Sequence, residues 1–471
     1  MRQLLTILIL LPYLGWSQVS DSASVAFDTY YQWVIQYHPV AKQVALLSES
    51  AAAEVRLARG GFDPKVVLDW EKKSFDNKTY YDKIGADLKI PTWLGITPEV
   101  GFSQRQGEFL NPENYISDAT ENQQVSAGVT VSLGRGLFID DRRAALQQAK
   151  LFSDMAEAQQ VFLLNELLLE AAMVYWEWYT AHYQFEVVNE SILLSQDIFD
   201  RTKMAFEYGE VAAIDTVQAK TNLLTRQAEQ IEALTKLQKA KLKLSTFLWD
   251  AEGNPLELNT GVVPEQVVVT LPEDEALSGL LQRAERNHPS LQKLRIEASS
   301  LEVNRRLATE QLKPKLDLKY RMLDQPLDPE GEFVNPSFNE NYQLGLGFEI
   351  PIFLRKERAK VQQVNIKLQE NKLKQDLSTL KILNEIRASY TELINTAALI
   401  SQQSAMVQNY QLLVDAERLN LANGESDLFK LNGQLDKLLS SQYKLVKENA
   451  RYKKLLAQLY WAAGVENLGF N

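Results

Sequence analysis

The sequence contains no cysteine, and it has few histidines. Without cysteine the chain can form no disulfide, no thiolate metal site and no thiol nucleophile. Two of the three histidines, His38 and His288, belong to a repeated His-Pro pair, for which a structural role in a helix is simpler than chemistry. We therefore expect no enzyme, no catalytic residue, no cofactor and no bound metal. The net charge of -11 makes nucleic acid an unsuitable partner.

Long apolar runs are also missing after the N-terminus. The chain begins with Met1 and Arg2, continues with an apolar run from Leu4 to Leu14, and then reaches Gly15-Trp16-Ser17. A basic start, a short apolar segment and small residues predict a secretory signal peptide over residues 1–17. The run is too short to cross a bilayer as an anchor, and no second run of that length follows. We expect an exported chain without a transmembrane helix.

The chain contains an internal repeat. The offset between matching segments has one constant value early in the chain, as in His38-Pro39 with His288-Pro289. It then changes to a second constant value, shared by Arg143-Ala144 with Arg358-Ala359 and by Tyr208-Gly209-Glu210 with Asn423-Gly424-Glu425. A register held over such distances indicates a tandem duplication. The predicted domains are a first repeat (18–249), a linker (250–273), a second repeat (274–464) and a C-terminal tail (465–471).

Helix-breaking residues are nearly absent from the second part of each repeat. Proline is missing from Glu113 to Asn254 and from Ile352 to the end, and Gly209 is the single glycine between Leu137 and Asp250. Since proline and glycine are the main helix breakers, these stretches predict very long helices. One from Phe138 to Tyr208 would measure about 105 Å, too long for a compact globular domain.

Apolar residues after Gly424 recur at steps of three or four. They form a narrow heptad seam with a few polar members: Leu428, Leu431, Leu435, Leu438, Gln442, Leu445, Asn449, Tyr452, Leu455 and Leu459. A seam of this width requires a partner helix. We predict two antiparallel helical hairpins, over about 138–249 with its tip at Gly209 and over about 355–464 with its tip at Gly424.

Strand patterns occupy about 65–133 and about 315–350. From Tyr342, for example, apolar residues alternate with Gln343, Gly345, Gly347 and Glu349. Strands with one apolar and one polar face fit either a lipid-facing barrel around water or a half-buried soluble sheet. The signal peptide favours the barrel, and the few strands per chain require several chains to share it, because an open sheet edge is not viable in lipid. An additional alternating piece, 84–90 and 99–105, is either a barrel hairpin or a cover outside the barrel.

The order of elements, found twice, resembles the TolC family of outer-membrane efflux proteins over essentially all of the chain after the signal peptide. The turn with Gly209, Asp215 and Ala219 resembles the family's Gly-x5-Asp-x3-Ala motif. The second turn keeps Gly424 but has Lys430 and Gln434 where the motif would place Asp and Ala. Ile350-Pro351 matches the family's apolar-Pro step from strand to helix, and Leu133-Gly134 departs from it.

This resemblance implies a fold of mixed α and β class in a membrane protein. Three chains would share one transmembrane β-barrel and one long periplasmic α-helical barrel in the outer membrane of a Gram-negative bacterium. The channel would conduct small molecules or polypeptides passively, within a tripartite efflux or type I secretion system. Its implied partners are itself as a homotrimer, a periplasmic adaptor (membrane fusion) protein, an inner-membrane pump reached through the adaptor, and outer-membrane lipid. The alternative hypothesis is a periplasmic coiled-coil scaffold or adaptor without a pore.

Asp415 lies at the spacing from Gly424 where the family places aspartates that ring the closed entrance. Three such carboxylates would bias a pore towards cations, as would the acidic composition of a trimer; the alternative is a solvated surface acid. Glu417 is close but is expected to face elsewhere. The residues expected to contact the adaptor lie at the two tips: Gly209, Glu210, Val211, Asp215, Gly424, Glu425 and Ser426. Pro351 is the predicted strand-to-helix step. A plain solvent loop is the alternative for the tips.

Overall fold

The computed structural model describes residues 24–116, 120–259, 261–269, 276–324 and 340–465. The predicted signal peptide and the tail after Val465 lie outside these residues. The helices are α1 (Phe27–Tyr37), α2 (Pro39–Arg59), α3 (Asp141–Glu207), α4 (Ala213–Ser245), α5 (Ala276–Asn287), α6 (Pro289–Glu310), α7 (Arg355–Ala422) and α8 (Leu428–Ala462). The strands are β1 (Ser24–Val25), β2 (Lys65–Phe75), β3 (Lys78–Lys89), β4 (Ile96–Gln106), β5 (Gln123–Ser132), β6 (Val263–Pro264), β7 (Lys315–Asp324) and β8 (Tyr342–Glu349).

The order of these elements follows the predicted duplication. Two helices, strands and two long helices occur in the first half, and the same order returns in the second half. The longest helices, α3 with 67 residues and α7 with 68, occupy stretches free of proline. His38 and His288 each lie at the break between two consecutive helices, before a proline that begins the next helix. Since proline is tolerated in a first helical turn but not in a helix interior, the repeated His-Pro pairs mark helix boundaries.

Clustering of contacts divides the chain into two compact units. Of the described residues, those within Met1–Val44, Phe162–His288 and Lys381–Asn471 form the helical unit, and those within Ala45–Val161 and Pro289–Leu380 form the sheet unit. Helices α3 and α7 contribute residues to both. Among the residues that the structure describes, no helix combines the length and the apolar character needed to cross a membrane.

The sheet unit contains a six-stranded antiparallel sheet with the order β2-β3-β4-β5-β7-β8. The additional piece predicted at 84–90 and 99–105 corresponds to β3 and β4, which pair with each other and lie between β2 and β5. The hairpin is therefore part of the sheet. The tight turn at Asp76 and Asn77, which joins β2 to β3, uses two residues with positive φ, as a type I′ turn requires.

The helical unit is built around a large aromatic cluster. Phe27, Tyr30 and Tyr31 of α1 pack against Tyr175 and Trp176 of α3, and all five are at most 3% exposed. Ring centroids of Phe27 and Trp176 lie 5.2 Å apart in a stacked arrangement. The aromatic residues of α3 thus serve packing between helices, and the burial of such large side chains stabilises the unit strongly.

The predicted heptad seam of α8 is buried. Leu428, Leu431 and Leu438 pack with Ile198 of α3 and Val414 of α7 in one apolar cluster. Farther along α8, Tyr452, Leu455 and Leu459 belong to a second cluster with residues of α7. The seam therefore packs against α7, the preceding helix of its own hairpin, as its narrow width predicts. In the first cluster it also contacts α3 of the other hairpin, which was not predicted.

Candidate functional site

The apolar face of the six-stranded sheet carries large exposed side chains, unlike the apolar face of a sheet in a soluble protein. Large apolar side chains such as Leu68 and Leu346 are 74% and 68% exposed, whereas the carboxylate residue Glu99 on the opposite face is 9% exposed. A continuous apolar surface of this kind marks contact with another apolar phase. Apolar-out and polar-in strands are characteristic of membrane β-structure around water, and the half-buried soluble sheet does not explain them.

The strand register extends the apolar face across the whole sheet. Leu68 lies opposite Ala86, Ala86 opposite Phe102, and Phe102 opposite Val125. On the other side of β5, Val131 lies opposite Leu318, which lies opposite Leu346. The inserted hairpin thus shares its faces with the other strands, since a slip of one residue would have reversed them.

The polar face holds an ion pair that reaches over a glycine. Glu99 on β4 lies opposite Gly128 on β5, which in turn lies opposite Arg321 on β7. The Arg321 guanidinium contacts the Glu99 carboxylate at 2.6 Å, and the Thr130 hydroxyl donates a hydrogen bond to the same carboxylate at 3.0 Å. These contacts satisfy the hydrogen-bonding capacity of a buried carboxylate.

The connections from strand to helix differ between the halves. Pro351 follows β8 in a short connection that ends at Leu354, where φ is +48° and the carbonyl accepts from the Arg358 N–H at 2.9 Å. In the first half, Asp140 precedes α3 and accepts from the backbone N–H of Arg143 at 2.9 Å. Although burial raises the pKa of Asp140, this hydrogen bond and the Arg143 guanidinium outweigh it and lower that pKa below its ordinary value.

The two helical tips have the same backbone structure. At the first tip, the Gly209 N–H donates to Phe206 O and the Glu210 N–H donates to Ala205 O, both at 2.9 Å. Gly424 and Glu425 make the equivalent bonds at the second tip. Gly209 and Gly424 have φ of +77° and +74°, the left-handed conformation that this helix end requires. The glycines therefore end α3 and α7.

The helices that follow the two tips, α4 and α8, are capped at their N-termini by aspartates at different positions. Asp215 lies three residues into α4 and accepts from the Ala212 N–H at 3.1 Å. Lys430 occupies the same place in α8, and its N–H instead donates to Asp427 at 2.9 Å. The aspartate missing from the second motif is thus replaced by one that caps the helix from the preceding position. The preference of aspartate for helix N-caps could have identified Asp427 from the sequence.

The predicted tip residues are unequally exposed. Gly209, Glu210, Gly424 and Glu425 are exposed, whereas Val211, Asp215 and Ser426 are half-buried. Two aromatic residues near them in sequence, Tyr208 and Phe429, are also exposed, although neither was predicted as a contact residue. Large apolar residues at a tip provide contact area that glycine and glutamate do not provide.

The predicted entrance acids have different contacts. Asp415 is exposed and accepts a hydrogen bond from Gln411 on its own helix at 3.2 Å. Glu417 accepts a hydrogen bond from the Ser426 hydroxyl, so its carboxylate is held against the tip of the same hairpin. Asp415 is therefore the acid whose position leaves it accessible to solution.

Two ion pairs between the hairpins were not predicted. Arg418 of α7 contacts Asp197 of α3 at 3.3 Å, and Arg226 of α4 contacts Asp436 of α8. Asp197 also contacts Arg201 at 2.8 Å. Exposed pairs of this kind contribute little energy each, but they define which helices are neighbours. Their residues lie far apart in sequence, where spacing gives no signal.

Comparison with known proteins agrees with this arrangement. The sequence matches the family model described as outer membrane efflux protein over residues 31–248 and 280–465. The fold is similar to that of the outer membrane protein VceC from Vibrio cholerae, at 16% identity and TM-score 0.64, covering 93% of this chain and 95% of that one. No individually curated protein matches the sequence.

Two further solved structures have a similar fold. The Campylobacter jejuni CmeC outer membrane channel has 13% identity and TM-score 0.63, with 93% of this chain and 85% of that chain covered. The open state of the Neisseria gonorrhoeae MtrE outer membrane channel has 12% identity and TM-score 0.62, with 92% and 88% covered. At these identities the likeness concerns the fold.

The family model matches most of the chain, so the class of this protein follows from its sequence as well as from its fold. The protein is an outer-membrane efflux channel with its helical part in the periplasm of a Gram-negative bacterium. It belongs to the outer membrane efflux protein family. The scaffold hypothesis receives no support from these comparisons.

Proposed function

We propose that three copies of this chain form one passive duct that conducts solutes or polypeptides from the periplasm to the exterior. The observation that carries the proposal is the sheet with its apolar face outward and two strand edges without a partner in the described part of the chain. In this assembly a periplasmic adaptor protein contacts the helical tips and links them to an inner-membrane pump. The pump supplies the energy and selects the cargo.

The sheet edges support association. Within the described residues, β2 pairs with β3 alone and β8 pairs with β7 alone. Each edge therefore presents unpaired N–H and C=O groups, and in lipid each such group costs several kcal/mol. Pairing β8 of one copy with β2 of the next satisfies these groups and closes the sheet into a barrel.

The long helices support the same association in the helical unit. On α4, Val217, Leu224 and Ile231 are exposed at steps of seven residues. On α7, Leu399, Met406 and Leu413 repeat the spacing and are also exposed. Apolar stripes with a heptad period pack against a partner helix. Since these stripes lie outside the seam buried within the chain, helices of a second copy are the partners we propose.

The exposed tips support the adaptor contact. Glu210 and Glu425 occupy equivalent positions directly after the two tip glycines, and the exposed rings of Tyr208 and Phe429 lie near them in sequence. An aromatic residue beside a polar rim is a common composition of protein interfaces. We assign the tip residues to this contact, with Val211 and Ser426 at its half-buried edge.

Asp415 supports a charged entrance. Its carboxylate is exposed, whereas that of Glu417 is bonded to Ser426. In a threefold assembly Asp415 would be repeated three times near the tips, nine residues before Gly424. Such a ring repels itself, attracts cations and biases the entrance towards them.

Single-channel current in a planar bilayer tests the proposal directly. Purified protein should run as a heat-resistant oligomer in sodium dodecyl sulfate and should give discrete current steps that prefer cations. Asp415→Ala should reduce that preference, whereas Asp200→Ala, which removes an exposed acid on α3, should leave it unchanged. Protein that neither oligomerises nor inserts would overturn the channel. Steps with unchanged selectivity in Asp415→Ala would overturn the Asp415 ring alone.

A further inference from the structure

The inserted hairpin of β3 and β4 has the features of barrel strands. Its strands carry 12 and 11 residues, as long as β2. β3 pairs with β2 along most of its length, and β4 pairs with β5 from Ile96 to Gln104. A strand that covered a barrel from outside would not be hydrogen-bonded within the sheet on both sides.

The hairpin also presents the same faces as the neighbouring strands. Ile84 and Val100 lie on the apolar face and are 41% and 51% exposed. Gly85 and Gly101 lie on the polar face, where the register places them opposite Asp69 and Asp87. The lipid-facing surface therefore continues through β3 and β4.

Glycines on the polar face of β4 and of β5 lie where a side chain would be crowded. A Cβ at Gly101 would lie 2.5 Å from Asp87 Oδ1 and 2.7 Å from Ser126 Oγ. A Cβ at Gly128 on β5 would lie 2.8 Å from Arg321 Cα. Side chains on a concave face crowd one another, and glycine relieves this crowding. The crowding at both positions places the concave side on the polar face of β4 and of β5 alike.

We propose that β3 and β4 are integral barrel strands, so that three six-stranded sheets close into one barrel of eighteen strands. This inference rests on the proposed trimer and deepens it. With a strand spacing of about 4.8 Å and a tilt of about 35–45°, eighteen strands give a backbone diameter of about 35–40 Å. Without the hairpin, twelve strands would give about 25 Å by the same geometry.

The greater width of an eighteen-stranded barrel would determine which class of cargo can pass through it. A layer of side chains takes about 5 Å from each wall, which leaves a lumen of about 25–30 Å in the eighteen-stranded barrel. An α-helix with its side chains is about 10–12 Å across. The sheet section thus admits bulky solutes and polypeptides that retain helices, whereas the twelve-stranded barrel would leave room for about one helix.

Because the chain lacks cysteine, single cysteines provide a clean test. Val100→Cys on β4 and Val129→Cys on β5 both lie on the apolar face, and the second is the matched control. Each is labelled with a bimane fluorophore in full-length protein and reconstituted in vesicles with brominated acyl chains. We expect the two fluorophores to lose fluorescence by a similar factor. Ser103→Cys, on the polar face of β4, should react with a water-soluble maleimide and escape quenching.

The outcomes separate this inference from the proposed channel. Quenching at residue 129 without quenching at residue 100 would place the hairpin outside the barrel and leave the channel intact. No quenching at either position would remove the sheet from the bilayer and overturn the channel itself. Electron-microscopic averages of the trimer along its threefold axis give an independent count, in which eighteen strands support the inference and twelve contradict it.

Discussion

Glu99 and Arg321 form an ion pair at 2.6 Å although their strands, β4 and β7, are separated by β5. The residue of β5 between them is Gly128. Any side chain at this place on the polar face would stand between the two charged groups. The absence of a side chain at Gly128 therefore permits both the close strand approach and the ion pair.

We predict that Gly128→Ala destabilises the oligomer. The added Cβ would lie 2.8 Å from Arg321 Cα and would press on the Tyr320 carbonyl, so the backbone must shift. Overpacking of this kind costs about 1–3 kcal/mol per site. The measurement is the temperature at which the oligomer dissociates in sodium dodecyl sulfate. Gly345→Ala is the control, since its Cβ would meet Lys319 Cβ at an ordinary 3.8 Å. Equal dissociation temperatures for the two variants would contradict the crowding argument.

A second prediction compares neighbouring residues on the two faces of β2. Leu68 lies on the exposed apolar face, and Val67 lies on the polar face opposite Asp87. Leu68→Lys should impair membrane insertion, because a lysine facing the bilayer centre costs about 2–4 kcal/mol. Val67→Lys should insert normally, since its ammonium would reach water and a carboxylate. The yield of folded oligomer in outer membranes measures both. Equal yields would show that Leu68 does not face lipid.

The helical hairpins could be predicted closely from the sequence, and the sheet only in part. Long stretches without proline and the glycines at 209 and 424 define helices and turns through local backbone preferences, which act without knowledge of neighbours. Alternation along 84–90 likewise predicts a two-faced strand. It does not reveal which strands pair, because pairing depends on residues distant in sequence. The place of β3 between β2 and β4 therefore required the structure.

The candidate site residues also divide into those whose role is set by local sequence and those whose contacts depend on residues distant in sequence. Glycine at 209 and 424 is required by the local backbone, and the sequence indicated it. The bond from Ser426 to Glu417 crosses the tip, and the pair of Arg418 with Asp197 joins two hairpins. Spacing could not reveal these contacts, since they depend on how helices pack. The cap at Asp427 is local, and the preference of aspartate for N-caps would have identified it.

A third prediction concerns two glycines in the second hairpin. Gly424→Ala should destabilise the hairpin by about 1 kcal/mol, because alanine is strained at a φ of +74°. Gly433→Ala, within α8, should stabilise it by a similar amount, since alanine is the better helix former. At neither position would an added methyl group come within 4 Å of a described atom beyond the adjoining backbone, so the sign depends on backbone conformation. Thermal unfolding followed by circular dichroism distinguishes the two. A shift in the same direction for both would contradict this account.

The last prediction concerns pH. Burial lowers the pKa of His288 to about 4, and burial together with the charge of Lys241 lowers the pKa of His182 to about 4. In an unfolded chain both would titrate near 6.5. Above that value neither state binds the proton, so stability is unaffected. As pH falls from 6.5 towards 4, the unfolded state gains protons that the folded state does not bind. The free energy of unfolding then falls by at most about 1.4 kcal/mol per pH unit for each histidine.

Replacing both histidines separates this effect from the titration of carboxylates. The double variant His182→Gln, His288→Gln should lose less thermal stability between pH 6.5 and pH 5 than the unchanged chain. A smaller dependence should remain, because burial also lowers the pKa of His38. The comparison uses the midpoint of unfolding in detergent at matched ionic strength. If the two proteins lose the same stability over this interval, the histidines are not buried in the neutral form. The pH dependence would then come from acids such as Asp140, whose lowered pKa means that stability is lost as pH falls towards 4 and below.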